Sequence, residues 1–157
     1  MPPRPEIHLL LHNIRSAQNV GAIFRVADAA AAAKIWLTGY TPAPLDRFGR
    51  VNREIAKTAL GAEKYVEWKK IANVDKLFKE LSAFSFQLLA LEQANNSIDY
   101  KKVKIKGPTA IIVGNEVRGL HPVLLKRCDV IVEIPMRGRK ESLNVAVALG
   151  IFLFRLI

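Results

Sequence analysis

Three short segments of this 157-residue chain concentrate its ligand-binding side chains. The first runs over 13–25 and offers Arg15, Ser16, Asn19 and Arg25 around the start of an amphipathic pattern. A helix N-terminus furnished in this way can hold a phosphate. Arg25 also has an ordinary use, an i,i+3 surface pair with Asp28. The second segment, 114–120, combines Gly114 and Gly119 with Asn115 and Glu116 directly after an apolar run. Glycines there let the chain turn tightly or let a ligand approach the backbone. The two polar side chains suit a hydroxyl or an adenine edge, and a plain turn is the alternative. In the third, 134–144, Pro135 stops a strand, Gly138 permits a bend and Ser142 can cap the helix that follows. Arg137, Arg139 and Lys140 add three cations beside that helix start, which makes this loop the best local candidate for nucleic-acid contact.

Other chemistries lack their residues. G-x-G-x-x-G is missing, no Gly-Lys-Ser/Thr follows a glycine-rich loop, and no G-x-S-x-G elbow exists. His8, His12 and His121 have no metal-ligand spacing with carboxylates or thiols, so no metal is expected. The single cysteine, Cys128, sits between Arg127 and Asp129 without an evident base and reads as a small packing residue.

Loops of this kind need a rigid frame. Apolar runs of strand length fall at 7–11, 34–39, 65–68, 86–91, 109–114 and 130–134. Helical spacing fills the intervals: 20–30, prolonged by alanines to 33 and capped by Asn19, then 53–60, 74–81, 122–127 and 143–154. Continuous apolar strands alternating with helices predict an open α/β sheet covered on both faces. In such sheets ligands bind beyond the carboxyl ends of the strands, where all three segments fall. The densest basic run, 101–106, has a β-like alternation and reads equally as a lysine-protected edge strand or an RNA contact.

Composition sets the outer bounds. The chain is 50% hydrophobic and 24% charged, which predicts one globular domain over 1–157 and excludes disorder. Its longest apolar stretch, 145–154, is about half the roughly 20 residues a membrane span needs. With one cysteine and no leader pattern at Met1, a soluble cytoplasmic protein is expected. Lys and Arg exceed Asp and Glu by 24 to 14, a net charge of +10. Such an excess favours a polyanion, nucleic acid above all.

Taken together, the three segments resemble the three motifs of the SpoU (TrmH-like) RNA 2′-O-ribose methyltransferases of the SPOUT superfamily. The first is Asn19-Val20-Gly21-Ala22-Ile23-Phe24-Arg25 with Ala27-Asp28-Ala29. The second is Ile112-Val113-Gly114-Asn115-Glu116 with Gly119-Leu120. The third is Ile134-Pro135-Met136, Gly138 and Ser142-Leu143-Asn144-Val145-Ala146. The three keep the family's order and span nearly the whole chain.

The resemblance implies a SPOUT-type parallel sheet flanked by helices, with a C-terminal deep trefoil knot that general topology rules would never suggest. It implies S-adenosylmethionine as cofactor, held by Leu91 with Glu92, Gly114, Ile134, Met136 and Leu143. It implies catalytic roles around the ribose 2′-hydroxyl for Arg25, supported by Asn19, with Glu116, Ser142 and Asn144 lining the same pocket. It implies a homodimer joined near the first motif and the C-terminal helix. Substrate contact is expected from Arg15, Arg137, Arg139 and Lys140, and from Arg47, Arg50, Arg53 and 101–106, without a separate RNA-binding domain. The RNA expected is tRNA, with rRNA as the other possibility. The competing readings are a SPOUT-fold RNA-binding protein without catalysis, a SPOUT methyltransferase acting on a base, and a flavodoxin-like nucleotide module.

Overall fold

The computed structural model describes residues 3–157. Seven parallel strands form one sheet in the order β3-β2-β1-β6-β4-β7-β5. Next to the central strand β6 (Thr109–Val113) lies β1 (Ile7–His12), paired on its other side with β2 (Lys34–Thr38). Leu9 is level with both Ile35 and Ile111. The run Leu9-Leu10-Leu11 is fully buried because both faces of the strand are covered. Leu9 and Leu11 enter one core with Phe24, Ile55, Phe152 and Leu153, while Leu10 enters the other with Leu77, Phe78, Leu81 and Leu124.

The first core is roofed by α1 (Ala17–Ala29), α2 (Arg53–Ala59) and α5 (Val145–Leu156), the second by α3 (Val74–Ala83) and α4 (Pro122–Leu125). Helix α1 lies close on α2 at Gly21, where a methyl group would stand 2.0 Å from the Thr58 hydroxyl oxygen. Beyond β6 lie β4 (Gln87–Leu91) and β7 (Val130–Glu133), and the sheet ends in two short edge strands, β3 (Trp68–Lys70) and β5 (Ile98–Asp99).

Several local expectations are corrected. Helix α1 is capped by Ser16, whose hydroxyl accepts from the Asn19 amide at 3.2 Å, so Asn19 is left free for other work. The alanine run does not prolong the helix to residue 33. Ala31 is left-handed (φ 55°), Ala32 N donates to Ala27 O and Ala31 N to Asp28 O, closing the helix so that the chain can enter β2. The third strand begins at Trp68, because Leu60 and Gly61 take positive φ and start a 3₁₀ turn at Ala62–Lys64 that carries the chain past residue 65. The basic run 101–106 forms no strand. Asp99 caps a 3₁₀ turn at Tyr100–Lys102, and Val103 is drawn into the core. Helix α5 is capped by Asn144 instead of Ser142, with its side chain accepting from Ala146 N and Val147 N.

The histidines serve the fold. His8 is buried and accepts from Trp36 Nε1 at 3.0 Å, and burial lowers its pKa. His121 caps α4. Burial pushes the Cys128 thiol up to about 11, in keeping with an unreactive packing residue. Among the described residues no group of His, Cys, Asp or Glu could hold a metal ion, and no helix is long and apolar enough to cross a membrane.

Candidate active site

Three neighbouring strands, β6, β4 and β7, end side by side. Their loops build a cavity of about 470 Å³. From β4 come Leu91, Glu92 and Gln93, from β6 Val113 to Glu116, from β7 Glu133, Ile134 and Met136. The approach to α5 adds Glu141, Ser142, Leu143 and Asn144, and α1 contributes Asn19. The walls are close-set by design of the glycines. A methyl group on Gly114 would meet the Gly119 backbone at 2.7 Å, and one on Gly119 would meet the Glu92 carboxylate at 2.3 Å. Gly119 also has φ +66°, the left-handed region.

A polar chain ties the three motifs to one another. Glu116 accepts from the Arg15 and Ser16 amides, both at 2.8 Å, and from Asn19 Nδ2 at 3.1 Å. Asn19 Oδ1 in turn accepts from Asn144 Nδ2 at 3.0 Å, while Asn144 Oδ1 caps α5. Partial burial alone would push the Glu116 carboxyl up, but the amides of Arg15, Ser16 and Glu116 itself, with Asn19, outweigh it and hold the group below the ordinary range. A second clamp comes from Glu92, which accepts from Leu120 N at 3.0 Å and Gln93 N at 3.2 Å. Gln93 Nε2 reaches Glu141 O at 2.9 Å and joins the β4 loop to the approach to α5.

The electrostatics of this cavity run against the whole protein. Among the described residues four carboxylates line it, Glu92, Glu116, Glu133 and Glu141, and no lysine, arginine or histidine does. The cations of the surrounding loops, Arg15, Arg118, Arg137, Arg139 and Lys140, are all solvent-exposed. An acidic interior within a basic surface suits a cationic or zwitterionic small molecule beside a polyanion. It does not suit a nucleotide phosphate, and the nucleotide-module reading loses its support.

Nine of the expected site residues thus meet in one place: Asn19, Leu91, Gly114, Glu116, Ile134, Met136, Ser142, Leu143 and Asn144. Arg25 does not join them. It lies six residues beyond Asn19 on α1, about 240° around the helix and roughly 9 Å along it. It is exposed, makes no ion pair with Asp28 among the described residues, and borders a different groove with Lys57, Leu60, Gly150 and Phe154. The expectation that Arg25 shares a pocket with Glu116, Ser142 and Asn144 therefore fails within one copy of the chain. Sequence reasoning also passed over Gln93 and Glu141, which belong to no motif, and Tyr40, whose hydroxyl accepts from Asn115 Nδ2 at 2.9 Å. Only its position just beyond β2, at the same end of the sheet, could have singled out Tyr40.

Fold and cavity define a class: a parallel α/β domain with a small-molecule site at its strand ends, acidic inside and basic outside. The model of the SpoU rRNA Methylase family matches residues 6–154, and the chain belongs to that family. It is 34% identical over 153 residues to the Ralstonia nicotianae protein named 23S rRNA (guanosine-2'-O-)-methyltransferase RlmB, which covers 98% of this chain and 59% of that one. It is 32% identical over 148 residues, 94% of this chain and 62% of the other, to an Archaeoglobus fulgidus protein named uncharacterized tRNA/rRNA methyltransferase. The AdoMet-bound rRNA methyltransferase from Sinorhizobium meliloti superposes with a TM-score of 0.88 at 32% identity, covering 98% of this chain and 56% of that one. The TrmH/SpoU tRNA modifying enzyme from A. aeolicus gives 0.83 at 27% identity, with 97% and 74% covered. This chain spans less than two thirds of the length of those two curated relatives.

Proposed function

We propose that the chain transfers a methyl group from S-adenosylmethionine to a ribose 2′-hydroxyl of an RNA. The observation that carries this is the acidic, cation-free cavity ringed by exposed arginines and lysine. Bound S-adenosylmethionine carries a sulfonium and an ammonium, and it would supply an electrophilic methyl group there. Glu92, Glu133 and Glu141 match those positive charges, while Leu91, Ile134, Met136 and Leu143 offer an apolar slot for its adenosine beside the Gly114 backbone.

The transfer would exchange the methyl C–S bond for an O–C bond, release the neutral thioether S-adenosylhomocysteine, and pass the hydroxyl proton to solvent water. Glu116 is a poor base for that proton, since the two amides and Asn19 that it accepts from hold its carboxyl below the ordinary range. It is a positioning residue that holds Asn19 and, through it, Asn144 at the cavity wall. Arginine is protonated in proteins, with a pKa above about 12, so Arg25 is assigned to the RNA phosphate and to charge developing on the attacking oxygen.

Arg25 reaches the site if the active unit is a homodimer. Helix α5 is apolar on its outer side as well as its inner one, with Val147 50% and Phe154 53% exposed and Ile151 between them. A second copy seated on this face and on the Arg25 groove would carry Arg25 of one subunit toward the cavity of the other. The knot belongs to the same proposal. The connection 134–144 leaves β7, passes beside the 91–93 and 114–119 loops, and delivers α5 to the core that holds α1, the path a threaded C-terminus requires. A cytoplasmic location is part of the same proposal.

The test is methyl transfer from labelled S-adenosylmethionine to tRNA and to ribosomal RNA lacking this modification, with nucleosides separated by mass spectrometry. A 2′-O-methylnucleoside is the expected product. A methylated base would favour base modification, and cofactor binding without transfer to any RNA would favour the binding protein. Arg25→Ala is expected to lose at least a hundredfold in rate while calorimetry shows unchanged S-adenosylmethionine affinity. Near wild-type turnover would remove Arg25 from the mechanism.

A further inference from the structure

Resting on that RNA reading, we propose that Phe48, with Arg47 and Arg50 against its ring, is a stacking platform for an unpaired base of the substrate RNA. Phe48 is 67% exposed and belongs to neither hydrophobic core. Its ring carries two cations, the Arg47 guanidinium at 4.8 Å and the Arg50 guanidinium at 5.1 Å from the centroid. Between 45 and 53 the chain has three arginines and a single carboxylate. Aromatic rings and guanidinium planes stack on splayed-out bases, and the same cations meet the adjoining phosphates. A protein partner of ordinary composition would be served by the ring but not by the surplus charge.

The platform is built in advance. Asp46 Oδ1 accepts from Phe48 N at 2.8 Å and Arg50 N at 2.9 Å, and Asp46 Oδ2 pairs with Arg50 Nε at 2.8 Å. The Arg50 amide is the main cause that holds the Asp46 carboxyl below the ordinary range. Leu45 and Val51 bridge in antiparallel fashion, and Gly49, at φ +76°, turns the tip. A tip fixed in this way loses little freedom on binding.

Both ends of the segment are fastened to the proposed active site. It leaves β2 at Tyr40, whose hydroxyl meets Asn115 of the cavity wall. It returns at α2, where Glu54 accepts from Gln18 Nε2 at 3.3 Å, one residue before Asn19. A base held at Phe48 would then belong to the same RNA whose ribose enters the cavity, so that Phe48 governs which RNA is captured rather than the transfer itself.

Kinetics with an RNA that the wild type methylates, together with binding of a short fluorescent single-stranded RNA, test this. Phe48→Ala should raise KM for RNA and weaken the oligonucleotide about tenfold or more. Its kcat at saturating RNA, its S-adenosylmethionine affinity and its melting temperature should stay as in the wild type. Phe48→Trp should restore binding, which a merely structural ring would not. Unchanged KM and oligonucleotide affinity in Phe48→Ala would overturn the platform while leaving methyl transfer established. A loss of the dimer in Phe48→Ala, seen by sedimentation, would overturn it in favour of a subunit contact. If the wild type methylates no RNA, the proposed function falls, and the oligonucleotide comparison alone still decides the platform.

Discussion

Glu116 shows how one side chain can carry several motifs. Its two oxygens close the N-terminus of α1 by accepting from Arg15 and Ser16, a favourable place for negative charge. Glu116→Gln keeps the shape but turns one acceptor into a donor facing a backbone amide. We expect a loss of about 1–2 kcal/mol, read as a fall of about 5 °C in Tm for a chain of this size. The pH dependence gives a second check. Because the folded carboxyl lies below its ordinary value, its contribution is whole above about pH 4.3. It disappears as the pH drops through the folded value. The melting difference between wild type and variant should therefore be constant near neutrality and close in acid. A difference that persisted at pH 2 would mean that the charge is irrelevant. The identities of Asn19, Glu116 and Asn144 were legible in the sequence through the family resemblance. Their bonds to one another were not, because residues 97 and 125 positions apart meet only through the strand order.

Elements were legible where one physical preference dominates. β1 and β6 are continuous apolar runs buried on both faces, and α3 shows its Leu77, Phe78 and Leu81 stripe openly. The edges hid because β3 is Trp68-Lys69-Lys70, mostly exposed, and β5 is two residues long. The alanine run misled for a different reason. Propensity favours a longer helix, but Ala33 N must pair with Ile7 O at the mouth of β2, so the helix is forced to close at Ala31. A left-handed alanine costs about 1–2 kcal/mol, part of which glycine recovers at the expense of a freer unfolded chain. Ala31→Gly should then stabilise the protein by about 0.5–1 kcal/mol, a rise of roughly 2–4 °C in Tm. A drop on thermal melting would show that intrinsic helix preference still governs this end of α1.

On the scale of the whole molecule, two features would be accounted for by the proposed second copy. Asn19 and Arg25 face different ways on one helix, yet both are assigned to one reaction. The outer side of α5, with Val147, Ile151 and Phe154, lies bare beside the Arg25 groove. A twofold dimer is self-complementary and would answer both. Complementation separates this arrangement from a site contained in one chain. Arg25→Ala removes the arginine but leaves the cavity intact. Leu143→Arg fills the cavity at a partly exposed wall residue and leaves Arg25 intact. Each homodimer should be inactive. When the two are unfolded together, refolded and mixed in equal amounts, half the dimers are mixed, and each of these holds one whole site made of Arg25 from one subunit and the open cavity from the other. Methyl transfer should return to about a quarter of the wild-type rate under random pairing. If each site is built within a single chain, no combination of these two subunits contains a whole site, and the refolded mixture will stay as inactive as its parents.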